Sequence, residues 1–472
     1  MRDRIIDDQI RRQRETFIRH IQEEKRDSIC ALASSYHDNT PCTIFSVAHG
    51  SFNVCVFVQF DGPLADRWVV RIPFPGRVPW IDEKIDSEVA TMMYVAEKTT
   101  IPVPKVHAWS YEAQSPIGHA FIIMDHVQGT TLAALSYGRE ERILNPFGQT
   151  PERLHVEEQL ADLLAQLRGL EFPAIGALGM PTSDSPSIAI RHRPLPIEVA
   201  LQEAEQLNPG VFFPEKHPFK TAKEYISALV RLGANRFAKT QDPDLDDLDM
   251  ASRVGLAYYE FHKYMLTIWH HITKSEPFVL MHGDLTLQGN NLLWDDELNL
   301  VAVLDWEWCH TVPISCFIPP TWLSGFFPDP ISAICRLRYP YHLAVKSLCK
   351  SIAARWPQSP LAGEWGQLHF EPYCALVLAL LYPEVVDEIF WDFLVKKFYP
   401  LDPENTPEDK LGEFLEKPNV GDFLRRRVAD QKRYDKRYEL YVREHGEPQD
   451  CQCVGCEKER NNFDILQELP RL

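Results

Sequence analysis

Three features of the chain predict an α+β fold. They are a series of short Val-, Phe- and Ile-rich segments near the amino terminus, a long remainder patterned as helices, and a late strand–turn–strand unit flanked by Asp284 and Asp305. The short segments are residues 43–47, 53–60 and 67–72, parted by His49-Gly50-Ser51 and Asp61-Gly62-Pro63, residue types that belong in the turns between strands. Helical patterning is plainest over 156–170, where Leu160, Leu163, Leu164, Leu167 and Leu170 recur at the spacing of one buried helix face. A small β-rich part therefore precedes a larger, mainly helical one.

The late unit, residues 278–308, organises the rest. Phe278, Val279, Leu280 and Met281 run into His282-Gly283-Asp284, and a polar loop then leads to Asn290 and Asn291. Two apolar runs, 292–294 and 300–304, flank the turn-like Asp295-Asp296-Glu297, and Asp305 closes the unit. The pattern predicts two strands in a hairpin, with Asp284 and an Asn on the way in and Asp305 on the way out. Phosphoryl transfer needs such a set: one carboxylate to orient the attacking hydroxyl, and an Asn and an Asp to hold Mg²⁺ on the nucleotide phosphates.

His282-Gly283-Asp284-Leu285, then Asn291-Leu292-Leu293, then Leu304-Asp305-Trp306-Glu307 resembles the aminoglycoside phosphotransferase and choline kinase-like family. Val69-Val70-Arg71-Ile72-Pro73 is similar to its large fungal branch. The resemblance implies a protein-kinase-like two-lobed fold with a small β-rich N-lobe (41–125) and a larger, mainly α-helical C-lobe (126–400). It also implies substrate-covering inserts within the C-lobe, while apolar residues at helical spacing among many charges predict a helical extension over 1–40 and a charged helical tail over 401–472. The implied activity is ATP-dependent transfer to a hydroxyl of a small molecule. Asp284 would take or orient the acceptor's proton, and His282 would support the loop. Mg²⁺ would be held by Asp305 with Asn291 or Asn290. The family's Asp–Asn spacing falls on Gly289 here, so the loop is one or two residues longer. Asn291, directly before the strand, is the preferred ligand and Asn290 the second candidate.

In the N-lobe the same resemblance places Gly50 and Ser51 in the loop over the phosphates, with a single glycine. Arg71 stands where most kinases carry Lys, and its fork-shaped guanidinium binds phosphate differently from a point charge. Glu88, on an apolar-striped helix with Ile85, Val89 and Met92, is expected to pair with Arg71. Backbone groups of Met124, Asp125 and His126 are expected to meet the adenine edge, and Gly129-Thr130-Thr131-Leu132 starts the C-lobe with a Thr as helix N-cap candidate. The rival expectation is a catalytically impaired pseudokinase serving as a binding or scaffold module. Its support is the single-glycine loop, Arg71 in place of Lys, and the longer Asp–Asn spacing.

A net charge of −18 argues against a nucleic-acid partner. The eleven cysteines are mostly scattered and fit a reduced, cytoplasmic protein without a disulfide framework. No apolar h-region opens the chain, and the longest apolar run, 374–381, is too short to span a bilayer, so no membrane partner is expected. His270 and His271 are adjacent and face different sides of one helix, which speaks against a metal pair. Cys451, Cys453 and Cys456 cluster with only His445 nearby as a fourth ligand, which favours free thiols. Over 423–443, Tyr434, Tyr438 and Tyr441 line one side of a charged helix. The sequence leaves open the phosphoryl acceptor and the oligomeric state.

Overall fold

The computed structural model describes residues 3–63, 65–77, 80–135, 144, 147–148, 150–272, 277–285, 291–325, 328–368, 370–395 and 407–448. Five antiparallel strands form the first lobe: β1 (Cys42–His49), β2 (Asn53–Phe60), β3 (Arg67–Pro73), β4 (Val106–Ser110) and β5 (Phe121–Asp125), in the order β1-β2-β3-β5-β4. Alternation decides which face of the sheet each residue serves. In β2, Val54, Val56, Val58 and Phe60 are buried together with Ile29, Leu32 and Ala33 of α2 (Arg26–Ser35) and Ile21 of α1 (Arg4–Glu23). On the opposite side, Val69, Ile122 and Met124 of the sheet join Ile85, Val89 and Met92 of α3 (Ile81–Lys98) in a second core. Each such side chain, fully buried, stabilises by roughly 1.5–3 kcal/mol. Helices on both faces keep the sheet dry and α3 close against Arg71.

α1 begins with Asp3 as N-cap, which accepts from the N–H groups of Ile5 and Ile6 at 3.0 Å each. Its buried side also meets the carboxy-terminal helix Val420–His445. The Tyr434 hydroxyl donates to Asp3 at 3.2 Å, and that of Tyr441 to Asp8 at 2.6 Å. Two members of the tyrosine stripe therefore serve as polar anchors between the first and last helices.

The second lobe is built from α4 (Leu132–Leu135), α5 (Pro151–Gly169), α6 (Ile197–Ala204), α7 (Ala222–Lys239), α8 (Leu248–Ile272) and later helices, including Arg338–Arg355 and Ala375–Leu381. Thr150 caps α5 by accepting from Arg153 N–H at 3.2 Å, and Pro151 opens its first turn. The apolar run 374–381 lies in the core, with residues 375–380 all buried. Among the described residues no helix is long and apolar enough to cross a membrane.

The late unit differs from a single hairpin. The minor strands are β6 (Glu171–Phe172), β7 (Ala177–Gly179), β8 (Ala189–His192), β9 (Phe278–Met281), β10 (Leu292–Trp294), β11 (Leu300–Val303) and β12 (His310–Pro313). Of the late unit's described strands, β10 and β11 pair with each other as a hairpin. β9 lies instead in a three-stranded sheet of order β12-β9-β6. The partner β12 is fully buried and shows no apolar–polar alternation, so periodicity could not reveal it. Asp284 thus leaves one small sheet and Asp305 the other.

Candidate active site

The turn after β9 depends on Gly283. Its φ is +77°, and a Cβ there would stand 2.4 Å from the carbonyl oxygen of Trp308. That close approach lets His282 reach across: its Nε2 donates to the carbonyl of Leu304 at 2.9 Å, one residue before Asp305. The ring also lies 4.7 Å from that of Trp306, tilted by 55°. Burial pushes the His282 pKa down to about 4, so the ring is neutral and carries its proton on Nε2. His282 therefore fixes the Asp305 segment relative to Asp284.

Asn291 and Asp284 are brought together. The Asn291 amide donates to the Asp284 backbone carbonyl at 2.6 Å and stands 3.5 Å from Asp284 Oδ2. The Asn291 carbonyl accepts from Leu304 N–H at 2.8 Å, a second link between the segments. Asn290 lies outside the described residues. Burial, then the negative charges of Asp305 and Glu307, push the Asp284 pKa up to about 7.

Arg71 is the hub of a buried charge cluster. Its guanidinium bonds Glu88, meets Asp305 Oδ1 at 2.7 Å, and lies 3.3 Å from Glu307. Asp305 adopts φ 60° and ψ 53°, the left-handed region that Asp tolerates better than bulkier residues do. Burial raises the pKa of both Glu88 and Asp305, although Arg71 opposes the shift. For Glu307 burial is outweighed by Lys84 and then Arg71, and its carboxyl is held below the usual range. Sequence reasoning passed over Lys84, Asn53 and Glu307, all of which belong to this cluster. Two signals were there to use. Lys84 lies one helical turn before Glu88 on the striped helix, and Glu307 follows Asp305 by two residues.

Gly50 N–H donates to the Asn53 carbonyl at 3.0 Å, closing the turn between β1 and β2, and among the described residues nothing lies within 4 Å of where a Gly50 Cβ would stand. Ser51 is half-buried within that turn. The expected adenine-facing stretch is partly committed elsewhere. Met124 is buried in β5, Asp125 N–H donates to Lys105, and His126 N–H donates to Arg67, each at 3.0 Å. With those N–H groups engaged, Asp125 and His126 have only their backbone carbonyls to offer. Among the described residues, the Val127 N–H makes no backbone hydrogen bond.

The donor set suits Mg²⁺. A carboxylate and a carboxamide oxygen are hard ligands, and Mg²⁺ commonly takes one or two carboxylates with phosphates and water completing its shell. Among the described residues no group of three or more His, Cys, Asp or Glu could hold a metal. Arg71 supplies the fork that phosphate oxygens match.

Fold and site together define a two-lobed α+β protein with two acids, a carboxamide and a paired arginine where the lobes meet. The model of the phosphotransferase enzyme family matches residues 47–316, more than half of the chain. The chain belongs to that family. A subtelomeric hrmA-associated cluster protein of Aspergillus fumigatus is 30% identical over 135 residues, 29% of this chain and 24% of that protein. Altered inheritance of mitochondria protein 9 of Zygosaccharomyces rouxii is 31% identical over 130 residues, 25% of this chain and 19% of that protein. The matches thus span a quarter or less of these relatives' own length. Among solved structures, a thermostable mutant of an aminoglycoside phosphotransferase in ternary complex with AMP-PNP and hygromycin B gives a TM-score of 0.41. It is 12% identical and covers 86% of this chain and 98% of its own. A macrolide 2'-phosphotransferase from Brachybacterium faecium gives 0.37 at 14% identity, covering 77% and 95%.

Proposed function

We propose that the protein transfers a phosphoryl group from ATP, with Mg²⁺, to a hydroxyl of a small molecule. The observation that carries this reading is the convergence of Asp284, Asn291 and Asp305 with the Arg71–Glu88 pair where the lobes meet. Asp284, its pKa raised to about 7, is poised to accept the proton of the attacking hydroxyl. Asn291 and Asp305 would hold Mg²⁺, which when bound neutralises charge on the phosphates. Arg71, steered by Glu88, would steady the nucleotide's phosphates, and His282 keeps the two acid-bearing segments in register. The carbonyls of Asp125 and His126, with the Val127 N–H, are the backbone groups offered to the adenine edge.

The test is a thermal-shift titration with ATP, with and without Mg²⁺, on wild type and Asp305→Asn. A metal-dependent rise in Tm that the variant loses supports the reading, since a ligand bound only by the native state stabilises it by mass action. A wild type that ignores Mg²⁺ and ATP together overturns it and leaves the scaffold reading in its place.

A further inference from the structure

Lys84 is fully buried, and the phosphoryl-transfer scheme gives it nothing to do. Its Nζ lies 2.5 Å from Glu307 Oε2 and 3.8 Å from Glu88 Oε2, and it donates to Asn53 Oδ1 at 3.1 Å. The Asn53 amide donates to the same Glu307 Oε2 at 3.0 Å. Glu307 is therefore gripped from three sides, by Lys84, by Asn53, and by Arg71 at 3.3 Å. Taking an ammonium out of water is strongly unfavourable unless its partners are well placed, so a lysine kept here calls for a reason.

The charges supply one. Two cations, Arg71 and Lys84, face three acids: Glu88, Glu307 and Asp305. With a Mg²⁺-bound nucleotide taking up Asp305, two cations and two acids remain. They resolve into pairs, Lys84 with Glu307 and Arg71 with Glu88. Without Lys84, Glu307 would turn its whole charge on Arg71 and compete with the phosphates for the guanidinium. We propose that Lys84, held by Asn53, is a positioning residue that occupies Glu307 and so leaves Arg71 to Glu88 and the nucleotide.

The same clamp joins three parts of the site. Asn53 directly follows the turn that Gly50 begins, Lys84 lies on α3, and Glu307 sits two residues beyond Asp305 in the short turn Trp306–Trp308. Phe52 packs edge-on against Trp308 at 4.8 Å and reinforces the junction. The turn over the phosphates is thereby fixed to the acid-bearing segment.

The inference rests on the nucleotide-binding reading, and its test is a double-variant cycle on the full chain. Mg²⁺-ATP is titrated calorimetrically into wild type, Lys84→Met, Glu307→Gln, and the variant carrying both. Each single change leaves one buried charge without its partner, and each is expected to weaken Kd by about tenfold or more. The double change removes both charges, and its Kd is expected to return to within about threefold of wild type. A purely structural role would lower Tm without this recovery in affinity. Should Lys84→Met fail to fold, tighter binding by the double variant than by Glu307→Gln alone carries the same proof. Wild-type affinity in a folded Lys84→Met, or losses that simply multiply in the double variant, would overturn the inference alone. A wild type that binds no Mg²⁺-ATP would overturn the function with it.

Discussion

Arg71 and Asp305 are joined by a 2.7 Å ion pair that links the sheet lobe to the segment leaving the small hairpin. The carboxylate proposed to hold a metal and the cation proposed to hold phosphates are thus bonded to each other. Glu88 occupies another part of the same guanidinium, so Arg71 keeps a partner when Asp305 turns to other work. A lysine at this position would have no planar fork to share between two acids.

This arrangement separates the duties of the two aspartates. Among the described residues Asp284 bonds Asn291 and forms no ion pair, whereas Asp305 is bonded to Arg71. Asp284→Asn should lower kcat by about a thousandfold, in the range of a lost general base, with nucleotide affinity within about threefold of wild type. Asp305→Asn should instead weaken Mg²⁺-ATP binding by about tenfold or more. Steady-state kinetics paired with calorimetric titration distinguishes the two. Equal loss of both properties in both variants would defeat the separate roles.

The raised Asp284 pKa has a pH signature. As the base, it acts in its carboxylate form, so kcat/KM should rise with pH and reach half its plateau near pH 7. Stability runs the other way. A folded-state pKa above the unfolded value gives stability that is complete below about pH 4 and is lost as pH climbs through 7. Asp284→Asn should therefore gain Tm relative to wild type as pH is raised from 5 to 8. A gap that stays constant across that range would show that the carboxyl is not perturbed.

Much of this site was readable before any coordinates, for a physical reason. Asp284, Asn291 and Asp305 lie at the ends of short apolar runs, where strand patterning and turn chemistry mark position well. Glu88 gained its meaning only from the family resemblance, which sets it opposite the strand cation. What stayed hidden was long-range. β9 pairs with β12 and β6, and partner choice leaves no trace in the alternation of a strand buried on both faces. Lys84 reads as an ordinary solvent-facing helix residue, since lysine is seldom buried, and only Glu307 and Asn53 arriving from distant segments give it a place inside.

His310 offers a check on the core beneath the site. It begins β12, is buried, and is bonded at both nitrogens: Nδ1 donates to the Trp308 carbonyl at 3.0 Å, and Nε2 accepts from the Tyr225 hydroxyl at 3.0 Å. Burial pushes its pKa down to about 4, outweighing the bond to Trp308. The native state then binds fewer protons than the unfolded chain between about pH 4 and 6.5, so stability is present above 6.5 and lost as pH falls. At pH 5 the loss from this one residue is about 2 kcal/mol. His310→Gln keeps an amide capable of both bonds and cannot titrate. It should be less stable than wild type at pH 7.5 by urea unfolding, and that deficit should shrink by about 2 kcal/mol at pH 5. Because every other titrating group is common to both proteins, the difference isolates His310. An equal deficit at both pH values would mean that this histidine is protonated in the folded protein, and the buried neutral pair with Tyr225 would have to be abandoned.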